Sequence, residues 1–146
     1  MPEDKSKKRR VIFLAFVLIV ATGYYFFISQ GSPSFRFSAQ NRTFSFHGSK
    51  NTAAAFSFDT LEALDLYDGA AAAYGVPAGG GKVWGGYHYG AWKNDTLGEY
   101  EAFVTERFNT YIIARDGEKT AIFNTSNAET TRSLYKQLHD FWTASP

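Results

Sequence analysis

The stretch "NTYIIARDGEKTAIFNTSNAETTRSLYKQLHDFW", residues 109–142, predicts both kinds of secondary structure in this protein. Its first half holds two short apolar runs joined by "RDGE", and an Asp-Gly pair between such runs is a strong signal for a tight β-hairpin. Its second half opens with Ser126 and Glu129, whose spacing is that of a helix capping box and predicts a helix start near residue 127. The next apolar positions fall on one stripe of a helix. They are Thr131, Leu134, Tyr135, Leu138, Phe141 and Trp142.

Outward from this stretch, apolar residues recur with the period of two that is typical of half-buried strands. The alternating positions are Phe35 and Phe37, Phe44 and Phe46, Phe56 and Phe58, Leu64 and Leu66, and Tyr100, Ala102 and Val104. "AQN" separates the first two runs as a turn, so these two runs predict a hairpin. The order is therefore about seven strands followed by one C-terminal amphipathic helix. We expect a β-sandwich or half-open barrel with the helix closing one end.

The local sequence resembles bacterial pleckstrin-homology (PH) domains. The likeness lies in "FSFDTLEALDLYDG", in the glycine-punctuated "KVWGGYHYGAW", in "YIIARDGEKTAIFN" and in the helix "NAETTRSLYKQL". The order and spacing of these segments carry the likeness, since none of them is diagnostic alone. The resemblance implies a PH-like β-domain over residues 35–146. It implies little chemistry, because one fold hosts many functions.

Residues 11–28, "VIFLAFVLIVATGYYFFI", carry no charge. Eighteen helical residues would measure about 27 Å, close to the roughly 30 Å of a bilayer's hydrocarbon core. The segment predicts a transmembrane helix, with the lipid bilayer as its partner. A cleaved signal peptide is the alternative, since "ATG" at 21–23 could be a cleavage site. The apolar run continues to Ile28 past that site, which favours a retained anchor.

Charge on either side of this segment predicts its orientation. Residues 1–10, "MPEDKSKKRR", hold five basic and two acidic residues, a net charge of 5 − 2 = +3, whereas Arg36 and Arg42 are the first basic residues after the span. The positive-inside rule then predicts a cytoplasmic tail at 1–10 and a domain outside the cytoplasmic membrane. Residues 29–34, "SQGSPS", predict a short polar linker.

Several function classes are disfavoured by composition and motif spacing. A net charge of +1 gives no basic field for nucleic acid, and a chain without cysteine has no thiolate ligand or nucleophile. "GVPAGGGK" at 75–82 departs from the phosphate-loop spacing, and Val83 replaces the hydroxyl residue that would bind magnesium, so no nucleotide is expected. His47, His88 and His139 belong to no catalytic or metal motif. We therefore expect a non-enzymatic protein without cofactor or metal.

The glycine-rich segment "GGGKVWGGYHYGAW", residues 79–92, holds the candidate binding residues. They are Trp84, Tyr87, His88, Tyr89 and Trp92, because large aromatic side chains dominate protein-binding hot spots. Packing within the fold is the alternative role for them. A single strand that bends at its glycines would place Val83, Gly85, Tyr87 and Tyr89 on one face, and Trp84, Gly86, His88 and Gly90 on the other.

The sequence thus predicts a membrane-tethered interaction or scaffolding module of the bacterial cell envelope, with a protein partner of unknown identity. Three alternatives stay open. One is a ligand-sensing protein or enzyme whose ligand occupies the glycine-rich region. Another is a lipid-binding domain, although the first hairpin offers few basic residues. The third is an accessory subunit of a membrane complex that contacts its neighbours through helix 11–28.

Overall fold

The computed structural model describes residues 12–22, 33–48, 52–68, 75–84, 86–105 and 110–144. The chain divides into two compact units, Met1–Gln30 and Gly31–Pro146, which are described separately. In the first unit, residues 12–22 form helix α1, and every one of these residues is exposed. No helix among the described residues is long and apolar enough to cross a membrane. The predicted span 11–28 continues beyond α1 into residues outside the described part.

The second unit is mainly β, with ten described strands in two sheets and a C-terminal helix. The strands are β1 Ser34–Ser38, β2 Thr43–His47, β3 Ala53–Ser57, β4 Ala63–Asp68, β5 Val76–Pro77, β6 Lys82–Trp84, β7 Tyr87–Asn94, β8 Gly98–Thr105, β9 Thr110–Asp116 and β10 Lys119–Phe123. The mainly β fold with a terminal helix is confirmed. The expected number of about seven strands is too low, because the glycine-rich region contributes β7 and two short strands, β5 and β6.

The small sheet has the order β1-β2-β3, and both of its strand pairs are antiparallel. The predicted hairpin of β1 and β2 is confirmed. Alternation places phenylalanines on the inner face and serine, threonine, arginine and histidine on the outer face, as expected for a sheet with one buried side. The Phe46 ring stacks on Phe123 of β10 at a centroid distance of 4.6 Å and an interplanar angle of 5°. This contact joins the small sheet to the large one.

The large sheet has the order β4-β9-β10-β8-β7-β5, and β6 also pairs with β7. The predicted hairpin around Asp116-Gly117 is confirmed as β9 and β10, with Asp116 paired to Lys119 and a two-residue connection between them. β10 runs parallel to β8. The buried Asn124 side chain follows β10 and accepts a hydrogen bond from the Thr105 backbone N–H at 2.8 Å, so it extends the contact between these two strands.

Helix α2, Ala128–Thr143, begins where the sequence predicts a helix start. Its N-cap is Asn127 rather than Ser126, because the Asn127 side chain accepts the backbone N–H of Thr130 at 2.8 Å. The predicted apolar stripe is confirmed as the packing face. Thr131 and Leu138 are buried, and the four other members of the stripe are half-buried, with Leu134, Tyr135, Phe141 and Trp142 packed against the core between the sheets.

We expect Asn127→Ala to lower the free energy of unfolding by about 1 kcal/mol, because the first turn of α2 loses its side-chain acceptor. Urea unfolding followed by tryptophan fluorescence measures this loss. Ser126→Ala is the matched control and should change the unfolding free energy less, since Ser126 is exposed and does not cap the helix. Equal effects of the two substitutions would contradict the assignment of Asn127 as the cap.

The prediction of one bent strand over 83–90 is wrong. The segment is a hairpin in which Trp84 pairs with Tyr87 and Val83 pairs with His88. Gly86, in the two-residue connection, has a φ of +83°, a conformation that glycine adopts at low cost. The reversal places Val83 on the face of His88 rather than on that of Tyr87 and Tyr89. Within β7 itself, the predicted alternation of Tyr87 and Tyr89 against His88 is confirmed.

Candidate interaction surface

The structure buries most of the predicted binding residues. The exposed fraction is 7% for His88, 6% for Tyr89 and 4% for Trp92, and Tyr87 is half-buried. The Trp92 ring stacks on His88 at 4.8 Å, and its indole N–H donates to the Tyr89 carbonyl at 3.0 Å. The side chain of Trp84 lies outside the described part.

The four residues whose side chains are described do not form one surface. Tyr87 and Tyr89 occupy one face of β7, and His88 and Trp92 occupy the opposite one. Gly90 lies between His88 and Trp92, and a Cβ atom there would stand 2.3 Å from the Gly80 carbonyl oxygen, so glycine is required by close backbone approach. The contacts give His88, Tyr89 and Trp92 a packing role. A binding role for the set stays a prediction.

The edges of the two sheets are the next places where a partner could bind, since an edge strand offers unpaired backbone groups. Three of the edge strands among the described residues, β3, β4 and β5, carry features that obstruct strand pairing. At β3, Lys119 donates a hydrogen bond to the Ala55 carbonyl and lies over the Phe56 ring. β5 has two residues, one of them Pro77. β4 is tied to α2 by the ion pair between Asp68 and Arg132.

β1 is another edge strand, and the register shows which of its backbone groups face outward. Gly48 donates to Thr52, and Phe58 donates to Arg42, both at 2.9 Å. These two bonds flank the pairing of β2 with β3, whose register is continuous between them.

Because hydrogen-bonded pairs alternate with non-bonded pairs in an antiparallel ladder, Phe44 and Phe46 direct their backbone groups toward β3. The intervening residues of β2 then bond to Ser34, Arg36 and Ser38 of β1. The backbone N–H and C=O groups of Phe35 and Phe37 are left directed away from the sheet. We call this row the β1 edge.

Aromatic side chains flank the β1 edge on its inner face. Phe37 is 45% exposed although its ring packs edge-on against Phe141 of α2 at 5.1 Å and against Phe58 at 6.0 Å. The Arg42 guanidinium lies 5.4 Å from the Phe141 ring centroid and pairs with Asp59 at 2.6 Å. An extended chain at the β1 edge would therefore have apolar surface beside it.

Arg36 flanks the β1 edge on the outer face. It is exposed, and no ion pair to it is found among the described residues. Burial, and secondarily the positive charge of Arg36, hold the pKa of His47 below its ordinary value. His47 is then neutral at pH 7, and its ring nitrogen contacts the Ser45 hydroxyl at 2.7 Å. Among the described residues on this outer face, the charge beside the edge at neutral pH is therefore that of Arg36, and it favours a negatively charged neighbour.

Asp68 and Arg132 hold the first half of α2 against β4. Arg132 donates two hydrogen bonds of 2.9 Å to the Asp68 carboxylate, and the Thr110 hydroxyl donates a third of 2.8 Å. The bonds from Arg132, and then the bond from Thr110, hold the pKa of Asp68 below its ordinary value. The second half of α2, which carries Phe141, is thereby kept beside the β1 edge.

This lowered pKa predicts a pH dependence of stability. The contribution of Asp68 is fully present above the unfolded-state pKa of about 3.9 and is lost as the pH falls through that range toward the folded-state pKa. We expect the unfolding free energy of the wild type to fall more steeply between pH 5 and pH 3 than that of Asp68→Asn. The difference should be small, because both side chains are about half exposed. Urea unfolding at a series of pH values measures it, and parallel curves would contradict it.

Comparison with protein-family models, with curated proteins and with solved structures gave no match to this chain. Among the described residues, no group of three histidine, aspartate or glutamate side chains comes together in a way that could hold a metal ion.

Sequence reasoning considered Arg36 only as one of the few basic residues of the first hairpin, and it did not single out Phe37 as a surface residue, although it placed the phenylalanine correctly in a strand. The available signal was "SFRFS" itself, in which a charged residue stands between two aromatics in the first strand of the domain.

Proposed function

We propose that this chain is a membrane-tethered, non-enzymatic binding module of the bacterial cell envelope, with a PH-like domain on the extracytoplasmic side. The observation that supports the membrane tether is the exposure of the apolar side chains of α1. Its large apolar side chains, Ile12, Phe13, Leu14, Phe16, Val17, Leu18, Ile19 and Val20, are 46–71% exposed and surround the helix on all sides. A helix that is apolar all round is stable in apolar surroundings, and a bilayer supplies them.

The orientation is supported by charge. The five basic residues at 5–10 precede α1, and a tail of this kind is retained on the cytoplasmic side of a membrane. The domain that follows α1 then lies on the opposite side.

The binding role is supported by the β1 edge. In strand addition, main-chain hydrogen bonds give affinity and contacts to alternate side chains give specificity. The β1 edge offers outward backbone groups, a partly exposed Phe37, and Arg36, with which no acidic group among the described residues forms an ion pair. The two sheets and the terminal helix are compatible with the PH-like plan. The parallel pairing of β8 with β10 is not predicted by the resemblance to PH domains.

Introducing charge into α1 tests the tether. We expect the wild-type chain to sediment with membranes and to resist alkaline carbonate extraction. Leu14→Arg combined with Leu18→Arg should release the chain, because each arginine near the centre of a membrane helix costs about 2.5–3.5 kcal/mol. Val76→Arg, at an exposed apolar residue of the domain, is the matched control and should leave the chain in the membrane fraction. Carbonate extraction of the wild type would refute the tether.

A further inference from the structure

We infer that the β1 edge binds, by strand addition, an extended segment of a partner protein in which apolar residues alternate with acidic ones. The inference rests on the proposed function, since it names the chemistry of the partner that the module binds. In antiparallel addition, a residue opposite Phe35 or Phe37 accepts the phenylalanine N–H with its own C=O and donates its own N–H to the phenylalanine C=O. These backbone bonds hold the segment against β1, and the side chains on the two faces set its register.

The apolar positions of the partner follow from the inner face. Residues directly opposite each other on neighbouring strands share a face. The partner residues opposite Phe35 and Phe37 therefore direct their side chains to the inner face, beside the exposed part of the Phe37 ring and the Phe141 ring of α2. Apolar side chains there bury surface that the domain leaves open to solvent.

The acidic position follows from the outer face. The residue between those two apolar ones lies opposite Arg36, on the face where no described acidic group pairs with it. Ser34 and Ser38 flank Arg36 and are small and uncharged. A carboxylate opposite Arg36 gains a cross-strand ion pair, whereas a lysine there would be repelled.

A second copy of this chain fits less well. "SFRFS" reads the same in both directions, so two β1 edges could pair antiparallel about Arg36. That register places the two arginines directly opposite each other, and like charges in that position are destabilising. A shift of two residues places Arg36 opposite Ser34 or Ser38 instead, so none of these registers supplies a carboxylate opposite Arg36. The charge of Arg36 thus favours an acidic segment of another protein.

Hydrogen exchange on the full chain in detergent micelles tests the inference. The probe is a synthetic peptide that alternates valine and glutamate. At saturating peptide, we expect the Phe35 and Phe37 amides to exchange at least about tenfold more slowly, because both become hydrogen-bonded. The amides of Ser34, Arg36 and Ser38 should change less, since they already bond to β2. The same peptide, N-methylated on the residues that face β1, should not bind.

A charge exchange tests the acidic position. Arg36→Glu should lower the affinity for the valine–glutamate peptide by about three- to tenfold. It should raise the affinity for a peptide that alternates valine and lysine by a similar factor. Lys82→Glu makes the same charge change at an exposed residue of β6 and should have less effect on either peptide. Circular dichroism of each variant confirms that the fold is retained.

Four results would overturn the inference. They are the absence of peptide binding, binding without protection of the two phenylalanine amides, equal binding of the glutamate and lysine peptides, and protection that depends on protein concentration without peptide. The last result would assign the β1 edge to a second copy. None of these results bears on the membrane tether, which carbonate extraction tests separately. Failure of the peptide-binding inference can therefore be distinguished from failure of the proposed function.

Discussion

Phe46→Ala is expected to lower the free energy of unfolding by about 3–5 kcal/mol, the usual cost of removing a fully buried phenylalanine ring. Phe46 has no exposed surface, and it stacks on Phe123 across the two sheets. It also contacts Phe35, Phe44, Phe56 and Phe103. Its loss leaves a cavity where the small sheet meets the large one, which neighbouring rings fill only in part. Urea unfolding followed by tryptophan fluorescence measures the change.

Phe46→Leu is the matched control, since leucine retains much of the buried apolar volume. We expect it to cost clearly less than the alanine substitution, because volume lost from a core sets the size of the cavity. A cost below about 1 kcal/mol for Phe46→Ala would contradict the account of how the two sheets are joined.

Trp92→Ala is expected to cost a similar amount, about 3–5 kcal/mol of unfolding free energy. The Trp92 side chain is buried with Tyr100, Ala102, Val104 and Tyr111 on one face of the large sheet. The substitution removes the stack on His88 and leaves the Tyr89 carbonyl without the indole N–H. Thermal unfolding by circular dichroism gives the size of the effect.

Two controls separate packing from binding at this place. Trp92→Phe keeps a ring on His88 but removes the N–H donor, so we expect a smaller loss than for alanine. Tyr87→Ala, at a half-buried residue on the opposite face, should also cost less. If Trp92→Ala left stability unchanged, the packing role of Trp92 would be wrong, and its predicted role as a binding anchor would become the better explanation.

Local sequence patterns were sufficient for the elements that depend on neighbouring residues. The β9–β10 hairpin follows from its Asp-Gly pair, the β1–β2 hairpin from two alternating phenylalanine runs, and α2 from its apolar stripe. Each of these signals acts over a few residues. The prediction of α2 was also close at its start, since the cap is Asn127, one residue after the predicted Ser126.

Long-range pairing could not be predicted in the same way. β4 pairs with β9, and β10 pairs in parallel with β8, although many residues separate β4 from β9 along the chain. No local spacing specifies such partners, because the pairing depends on which apolar faces are buried together. The glycines at 85, 86 and 90 allow either a bend or a turn, and the sequence alone did not decide that β6 and β7 form a hairpin.

The β1 edge also could not be predicted from local sequence patterns. The high aromatic content of residues 84–92 led to the prediction of binding residues there, but aromatic side chains pack in hydrophobic cores as readily as in interfaces. Whether β1 is an edge depends on the order of strands in the sheet, which the sequence does not state. The role of Arg36 follows only once its neighbours Ser34 and Ser38 are known to bond to β2, leaving Phe35 and Phe37 directed outward.

Labelling of single cysteines in intact cells tests the proposed tethered topology most directly. The chain has no cysteine, so Ser6→Cys and Glu118→Cys each introduce a single reactive thiol. Ser6 lies in the basic tail, and Glu118 lies in the exposed turn between β9 and β10. We expect a membrane-impermeant maleimide to label Glu118→Cys in intact cells and Ser6→Cys only after lysis. Labelling of Ser6→Cys but not Glu118→Cys in intact cells would contradict the topology, and recovery of both proteins in the soluble fraction would contradict the tether.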